Sequence, residues 1–106
     1  MIELTGKQKR YLRSLAQQAK PLASVGKAGL SEDLVRNVSR LLEQHELVKI
    51  RVPAGSGADR AFFCESLAQA TQSACIGVVG RVVLLYRPNP QLEKPILLDS
   101  LLEDEE

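Results

Sequence analysis

The chain has 106 residues, of which 44% are hydrophobic, and carries 14 Lys plus Arg against 13 Asp plus Glu. This length accommodates one domain with a packed core that needs no cross-links. The two cysteines argue against a disulfide framework, and the N-terminus does not resemble a secretion signal. No run approaches the roughly 18 apolar residues of a membrane span. These features predict a cytoplasmic protein.

The formal net charge of +1 hides an uneven distribution of charge. Residues 1–94 hold all 14 basic side chains and eight acidic ones, whereas residues 95–106 hold five acids and no base. The basic excess is concentrated in residues 1–29, which contain six Lys or Arg and one Glu. Clustered positive charge attracts polyanions, but a solubilising face is the alternative that charge alone leaves open.

The first predicted helix begins after Thr5, because Thr5 and Gln8 fit a capping box. Its apolar stripe has the spacing of an amphipathic helix and comprises Leu12, Leu15, Ala16 and Ala19. Pro21 is expected to end the helix. Residues 22–25 then form a short extended run, followed by a tight loop between Gly26 and Gly29.

The second helix is predicted to run from its N-cap Ser31 to about Gln44. Glu32 and Asp33 in the first turn suit the helix dipole. The predicted core face consists of Leu34, Val35, Val38, Leu41 and Leu42. Residues 47–52 follow as a half-exposed strand, because apolar and basic side chains alternate in its second half.

A flexible loop, a helix and a hairpin complete the predicted domain. Residues 53–59 predict the loop. A third helix over residues 60–73 has Phe63, Leu67 and Ala70 as its inward side chains, with Ala68 and Thr71 alongside. Strands over residues 75–79 and 82–86 are joined at Gly80 and Arg81 with hairpin spacing. The predicted fold is α/β, a compact sandwich of three helices and a four-stranded mixed sheet in the order α-β-α-β-α-β-β.

The chain beyond residue 88 is predicted to lie outside the domain. Pro88, Pro90 and Pro95 interrupt regular structure, so residues 1–88 form the domain and residues 89–106 form a proline-containing linker and an acidic tail. Residues 96–102 are a candidate amphipathic turn, and the last residues are expected to be disordered. The tail is either a solubilising end or a segment that folds over the basic face and screens weak non-specific binding.

Candidate catalytic side chains are sparse. His45, the only histidine, lacks a nucleophile motif and is expected in the last turn of the second helix. Cys64 and Cys75 lie in apolar sequence and are expected to be buried, inert thiols. The segment from Gly26 to Gly29 matches neither a P-loop nor a dinucleotide fingerprint. The sequence therefore predicts no enzyme, no cofactor, no metal and no small-molecule substrate.

The glycine loop is better explained by a different role. Glycine lets a sugar–phosphate backbone approach closely, and Lys27 adds a positive charge at the tip of the loop. KH domains clamp single-stranded nucleic acid with a GxxG loop of this kind. A turn that requires positive φ is the structural alternative. The basic first helix beside the loop favours nucleic-acid binding.

Four blocks of the sequence together resemble the CRM domain, a family named for chloroplast RNA splicing and ribosome maturation that includes stand-alone bacterial proteins of the YhbY type. The blocks are residues 4–13 (LTGKQKRYLR), 25–31 (VGKAGLS), 45–50 (HELVKI) and 80–87 (GRVVLLYR), and the resemblance covers about residues 3–88. It implies a fold similar to the C-terminal domain of translation initiation factor 3. It also implies RNA binding and association with precursors of the large ribosomal subunit, without catalysis or a cofactor.

The resemblance implies RNA-binding positions in this sequence. The family's loop falls on Gly26, Lys27, Ala28 and Gly29, and its basic helix falls on Lys7, Lys9, Arg10 and Arg13. Further candidate contacts flank these positions: Lys20, Arg36, Arg40, Arg81 and Arg87. The block that begins at His45 is expected to be architectural, at the passage from the second helix to the second strand.

The resulting hypothesis is a monomeric, non-catalytic protein that binds ribosomal RNA in large-subunit precursors through phosphate contacts and RNA shape. The chain has two Tyr, two Phe and no Trp, which are too few for a stacking platform on a sheet. The alternative is a protein-interaction module of the same fold whose affinity for RNA is incidental.

Overall fold

A computed structural model describes residues 2–98 of the chain and confirms the predicted element order. The helices are α1 (Gly6–Ala16), α2 (Glu32–His45) and α3 (Gly57–Thr71). The strands are β1 (Ala23–Ser24), β2 (Leu47–Arg51), β3 (Ala74–Val79) and β4 (Val82–Tyr86). None of the described helices has the length and apolar character needed to span a bilayer.

The four strands form one mixed sheet in the spatial order β1-β2-β4-β3. β1 pairs with β2 in parallel, with Ser24 opposite Arg51, and both remaining pairs are antiparallel. The carboxyl ends of β1 and β2 therefore lie at the same end of the sheet as the turn between β3 and β4. Gly80 in that turn has a φ of 58°, which a glycine adopts without strain.

The sheet is covered by α1 on one face and by α2 and α3 on the other. Alternate side chains of β4 serve the two faces: Leu84 and Tyr86 pack with α1, whereas Val83 and Leu85 pack with α2 and α3. The buried side chains on the α1 face are Leu12, Ala16, Ile76, Leu84 and Tyr86. The sheet thus separates two apolar layers, as predicted for a sandwich.

Helix α3 begins earlier than predicted. The hydroxyl of Ser56 accepts from the N–H of Asp59 (3.1 Å), and the Asp59 carboxylate accepts from the N–H of Ser56 (3.1 Å). This capping box starts the helix at Gly57, inside the predicted loop. The prediction of Ala70 as an inward side chain is also wrong, because the buried positions are Cys64, Leu67, Ala68 and Thr71.

Helix α1 ends before Pro21. The N–H groups of Gln17, Gln18 and Ala19 donate to carbonyls three residues earlier, so the last turn tightens to 3₁₀ geometry. Ala19 is consequently exposed and is not part of the apolar stripe. The early end of α1 leaves part of the sheet beyond Ala16 uncovered by a helix.

The two cysteines are bonded to each other, contrary to the prediction of inert thiols. A disulfide joins Cys64 of α3 to Cys75 of β3, with their Cα atoms 5.7 Å apart. Cys64 is fully buried in the layer under α2 and α3. Sequence spacing does not reveal this pairing, because the antiparallel return of β3 along α3 brings the two residues together.

Glu46 is the most buried charged side chain among the described residues, with 1% of its surface exposed. It ends α2 with a φ of 62°, and its N–H donates to the carbonyl of Leu42 (2.9 Å). Its carboxylate accepts from the N–H of Asn89 (2.8 Å) and from the N–H of Ile96 (2.7 Å). The block beginning at His45 is therefore architectural, as expected.

The segment after β4 contains no helix or strand within the described residues, yet Glu46 holds it against the domain. Ile96 and Leu98 pack against the apolar layer under α1. The predicted acidic tail and most of the predicted turn at residues 96–102 lie outside the described residues.

Substitution Glu46→Ala is expected to lower the free energy of unfolding by about 2–4 kcal/mol, because two buried N–H groups lose their acceptor. Alanine has a Cβ atom, as glutamate does, so the backbone strain of the positive φ is the same in the variant and the wild type and does not contribute to the difference in stability. Urea denaturation measures the loss, and hydrogen exchange should quicken at Asn89 and Ile96. Glu43→Ala, which removes a carboxylate that is 69% exposed, is the control. Equal stability of the two variants would contradict this role.

Burial, and then the charge of Glu46, raise the pKa of Tyr86 to about 12. An unfolded tyrosine ionises near pH 10, so the unfolded chain loses its proton first as the pH rises. Stability from this group is therefore complete below about pH 10 and falls between about pH 10 and 12, by up to about 3 kcal/mol. Denaturation at alkaline pH should show this fall in the wild type and in Tyr11→Phe. A fall of the same size in Tyr86→Phe would count against it.

Candidate nucleic-acid interface

The loop from Gly26 to Gly29 is a tight turn at the carboxyl end of β1. The N–H of Gly29 donates to the carbonyl of Gly26 (3.0 Å), and the N–H of Ser31 donates to the carbonyl of Gly29 (3.0 Å). Gly29 has a φ of 67°, which explains that glycine by backbone conformation. The N–H of Val25 donates to the carbonyl of Arg51 (2.9 Å), so β2 anchors the start of the loop.

Gly26 differs from Gly29, because the fold itself does not require a glycine there. Its φ is not positive, and a Cβ atom built on it would meet no other atom within 4 Å. The side chain of Lys27 is exposed. Within residues 2–98, the N–H groups of Lys27 and Ala28 make no hydrogen bond. The tip of the loop thus presents a positive charge and two available donors.

The first turn of α2 directly follows the loop and is acidic. Ser31 caps the helix by accepting from the N–H of Leu34 (3.2 Å). Arg36 pairs with the carboxylates of Glu32 and Asp33, all three being exposed. These carboxylates already offset the helix dipole, so the positive potential at this end comes from Lys27 and the loop donors rather than from the helix terminus.

The basic residues of α1 lie over the sheet face opposite α2. Arg10 and Arg13 are exposed, and Lys7 and Lys9 are half-buried. The guanidinium of Arg13 donates to the carbonyl of Ile76 in β3 (3.0 Å), so this charge lies towards the sheet edge farthest from β1. With strands about 4.8 Å apart, the glycine loop and Arg13 are separated by roughly 14 Å across the sheet.

Two basic residues of β2 bridge that separation, and neither was among the predicted contacts. Lys49 and Arg51 alternate with the buried Val48 and Ile50, so they project from the α1 face. The ammonium of Lys49 donates to the carbonyl of Ala19 (3.0 Å), and Arg51 is exposed. The alternation of basic and apolar residues in this strand was a signal that could have identified them.

Four of the five flanking candidates lie in three regions of the molecule. Arg81 lies in the β3–β4 turn, at the same end of the sheet as the glycine loop, and Lys20 is exposed between α1 and β1. Arg36 and Arg40 are exposed on α2, on the opposite side of the sheet from α1, and Arg40 bonds to Asn37. The structure therefore groups Arg81 with the loop and separates the two α2 arginines from α1.

Arg87 lies at the other end of β4 from Arg81 and is largely enclosed. Its guanidinium donates to the carbonyls of Thr71 (2.7 Å) and Ser39 (2.8 Å), and 20% of its side chain is exposed. These bonds tie α2 to the end of α3, which gives Arg87 a structural role.

His45 is exposed in the last turn of α2, as predicted. In the part of the chain that the structure describes, no group of three or more His, Cys, Asp or Glu side chains could hold a metal ion.

The chain is similar to proteins of one known family. The family model of the CRS1/YhbY (CRM) domain matches residues 4–87. The chain is 35% identical over 95 residues to YqeI of Bacillus subtilis, a candidate RNA-binding protein, covering 87% of this chain and 99% of YqeI. It is 29% identical over 91 residues to an RNA-binding protein of Haemophilus influenzae, covering 86% and 92% of the two chains.

A solved structure shows the same fold. The solution structure of SAV1595 from Staphylococcus aureus, a candidate RNA-binding protein, superposes with a TM-score of 0.78 and 37% identity, covering 90% of this chain and 99% of the other. Sequence blocks, sheet topology and these similarities agree, and the chain belongs to the CRS1/YhbY (CRM) domain family.

Proposed function

We propose that this chain is a non-catalytic, monomeric RNA-binding protein of the cytoplasm that binds ribosomal RNA in precursors of the large subunit during ribosome assembly. The names of its relatives support RNA as the partner. The observation that carries the proposal is the glycine loop. Neither backbone conformation nor steric contact within the fold requires a glycine at Gly26, which adjoins Lys27. A glycine in open space permits close approach by a partner backbone.

The arrangement of charge favours recognition of the RNA backbone. Lys27, the loop N–H groups and the basic residues on the α1 face supply phosphate contacts. Tyr86 is the one aromatic residue on the described strands, and 2% of it is exposed, so the sheet offers no rings for stacking bases. Affinity therefore rests on phosphates and on the shape of the RNA rather than on a stacking platform.

Binding of RNA in vitro is expected to depend strongly on salt and on the loop. If four to six phosphates are engaged, log affinity should fall with log salt at a slope of roughly −3 to −5. Lys27→Glu should weaken binding and flatten the slope, and Gly26→Ala should weaken binding without lowering the melting temperature. Lys94→Glu makes the same charge change outside the proposed interface and is the control. A flat salt response, or equal effects of Lys27→Glu and Lys94→Glu, would refute this mechanism.

Crosslinking in growing cells tests the identity of the RNA. Reads from the wild type are expected to concentrate on large-subunit ribosomal RNA and to be lost with Lys27→Glu but kept with Lys94→Glu. Reads scattered over messenger RNAs would exclude ribosomal RNA as the specific target. Co-sedimentation with large-subunit precursors that is lost after nuclease treatment of the lysate would support the proposal, whereas migration with free protein alone in untreated lysate would favour a protein-interaction module.

A further inference from the structure

The sheet face beyond the end of α1 contains a cleft that the sequence did not predict. Its floor is formed by Ala16 and Leu84, and its walls include Val79 and Val82. Arg13, Gln17 and Lys49 supply its polar rim. The cleft exists because α1 ends at Ala16, which leaves the end of the β3–β4 hairpin without a covering helix.

The interior of the cleft is apolar and open to solvent. Ala16 and Leu84 are 2% and 6% exposed, so they form a closed floor. Val79, at the end of β3, is 72% exposed and pairs with Val82 of β4. An exposed valine beside a recessed apolar floor is a surface that an apolar, flat group can cover.

The two rim cations are held in place by the fold. Lys49 donates to the carbonyl of Ala19 (3.0 Å), and Arg13 donates to the carbonyl of Ile76 (3.0 Å). Arg13 crosses β3 at Gly77, where a Cβ atom would lie in van der Waals contact with the Arg13 Cδ atom, at 3.4 Å. Each cation uses one donor in this way and retains others for a ligand.

The surroundings of the cleft are also basic. Arg51 pairs across the sheet with Val82 and projects from the same face as Lys49, and Arg81 lies in the adjoining turn. Among the described residues, no Asp or Glu lines the cleft. An apolar floor rimmed by positioned cations matches a nucleotide, whose base has flat faces that can pack on an apolar surface and whose phosphate is anionic.

We propose that this cleft takes one unpaired nucleotide of the bound RNA, with its base against Leu84, Val79 and Val82 and its flanking phosphates on Lys49 and Arg13. The inference rests on the proposed function and deepens it, since it specifies single-stranded RNA. A strand leaving the glycine loop crosses β2 over Arg51 to reach the cleft. A base inside a duplex is stacked and paired, so it cannot enter without being extruded.

The experiment is an anisotropy titration with a labelled, unstructured eight-nucleotide RNA and with the same strand annealed to its complement. Val79→Ser removes apolar surface without changing charge, and it should weaken binding of the single strand about tenfold with an unchanged salt slope. Lys49→Gln combined with Arg51→Gln should lower the magnitude of the salt slope for the single strand by roughly 1.4, because two phosphate contacts are lost. Phe62→Ser, at a phenylalanine of α3 that is 64% exposed, should bind like the wild type.

A second RNA series tests insertion of the base itself. Replacing one nucleotide at a time by an abasic unit should reveal a position where wild-type affinity falls, and that fall should be absent in Val79→Ser. Melting temperatures equal to the wild type confirm that each variant is folded.

The outcomes separate this inference from the proposed function. If the Val79 and Lys49/Arg51 variants bind like the wild type while Lys27→Glu loses binding, the cleft does not contact RNA but the loop does. Equal losses of duplex and single-strand binding in Val79→Ser would overturn the assignment of an unpaired nucleotide. A wild-type protein that binds neither RNA would overturn the proposed function and this inference with it.

Discussion

A buried carboxylate organises the end of the molecule opposite the glycine loop. Glu46 joins α2 to β2, and its side chain accepts from backbone N–H groups of the segment that follows β4. Its carbonyl also accepts from the N–H of Arg87 (2.8 Å). Because two N–H donors solvate the charge in place of water, burial of this acid is tolerated and fixes three chain segments relative to each other.

The charged side chains at the two ends of the sheet therefore differ in their surroundings. Arg87 and Glu46 use their polar groups within the fold, whereas Lys27, Arg51 and Arg81 lie at the opposite end and are exposed. An arginine thus has a structural role at one end of the sheet and is exposed at the other end. The net charge of the chain does not distinguish these two kinds of arginine, since an enclosed guanidinium and an exposed one contribute equally to it.

The outer edge of the sheet is protected against pairing with another strand. β3 carries a register shift between Cys75 and Gly77, and Arg13 occupies the carbonyl of Ile76 between them. An irregular edge with an occupied acceptor is a poor template for strand addition. Arg13 consequently has two roles, because it closes the edge and forms the rim of the proposed nucleotide cleft.

Local sequence signals determined the element order, the capping of α1 and α2, the hairpin at Gly80 and the position of the glycine loop, because each depends on residues within a few positions of one another. Tertiary structure alone decided the Cys64–Cys75 bond, the enclosure of Arg87 and the buried role of Glu46, whose partners lie 11 to 50 positions away. It also decided that Lys49 and Arg51 connect the loop to α1, since strand order is set by long-range pairing. Periodicity shows that a residue is exposed, but only the packed chain shows which exposed residues share a surface.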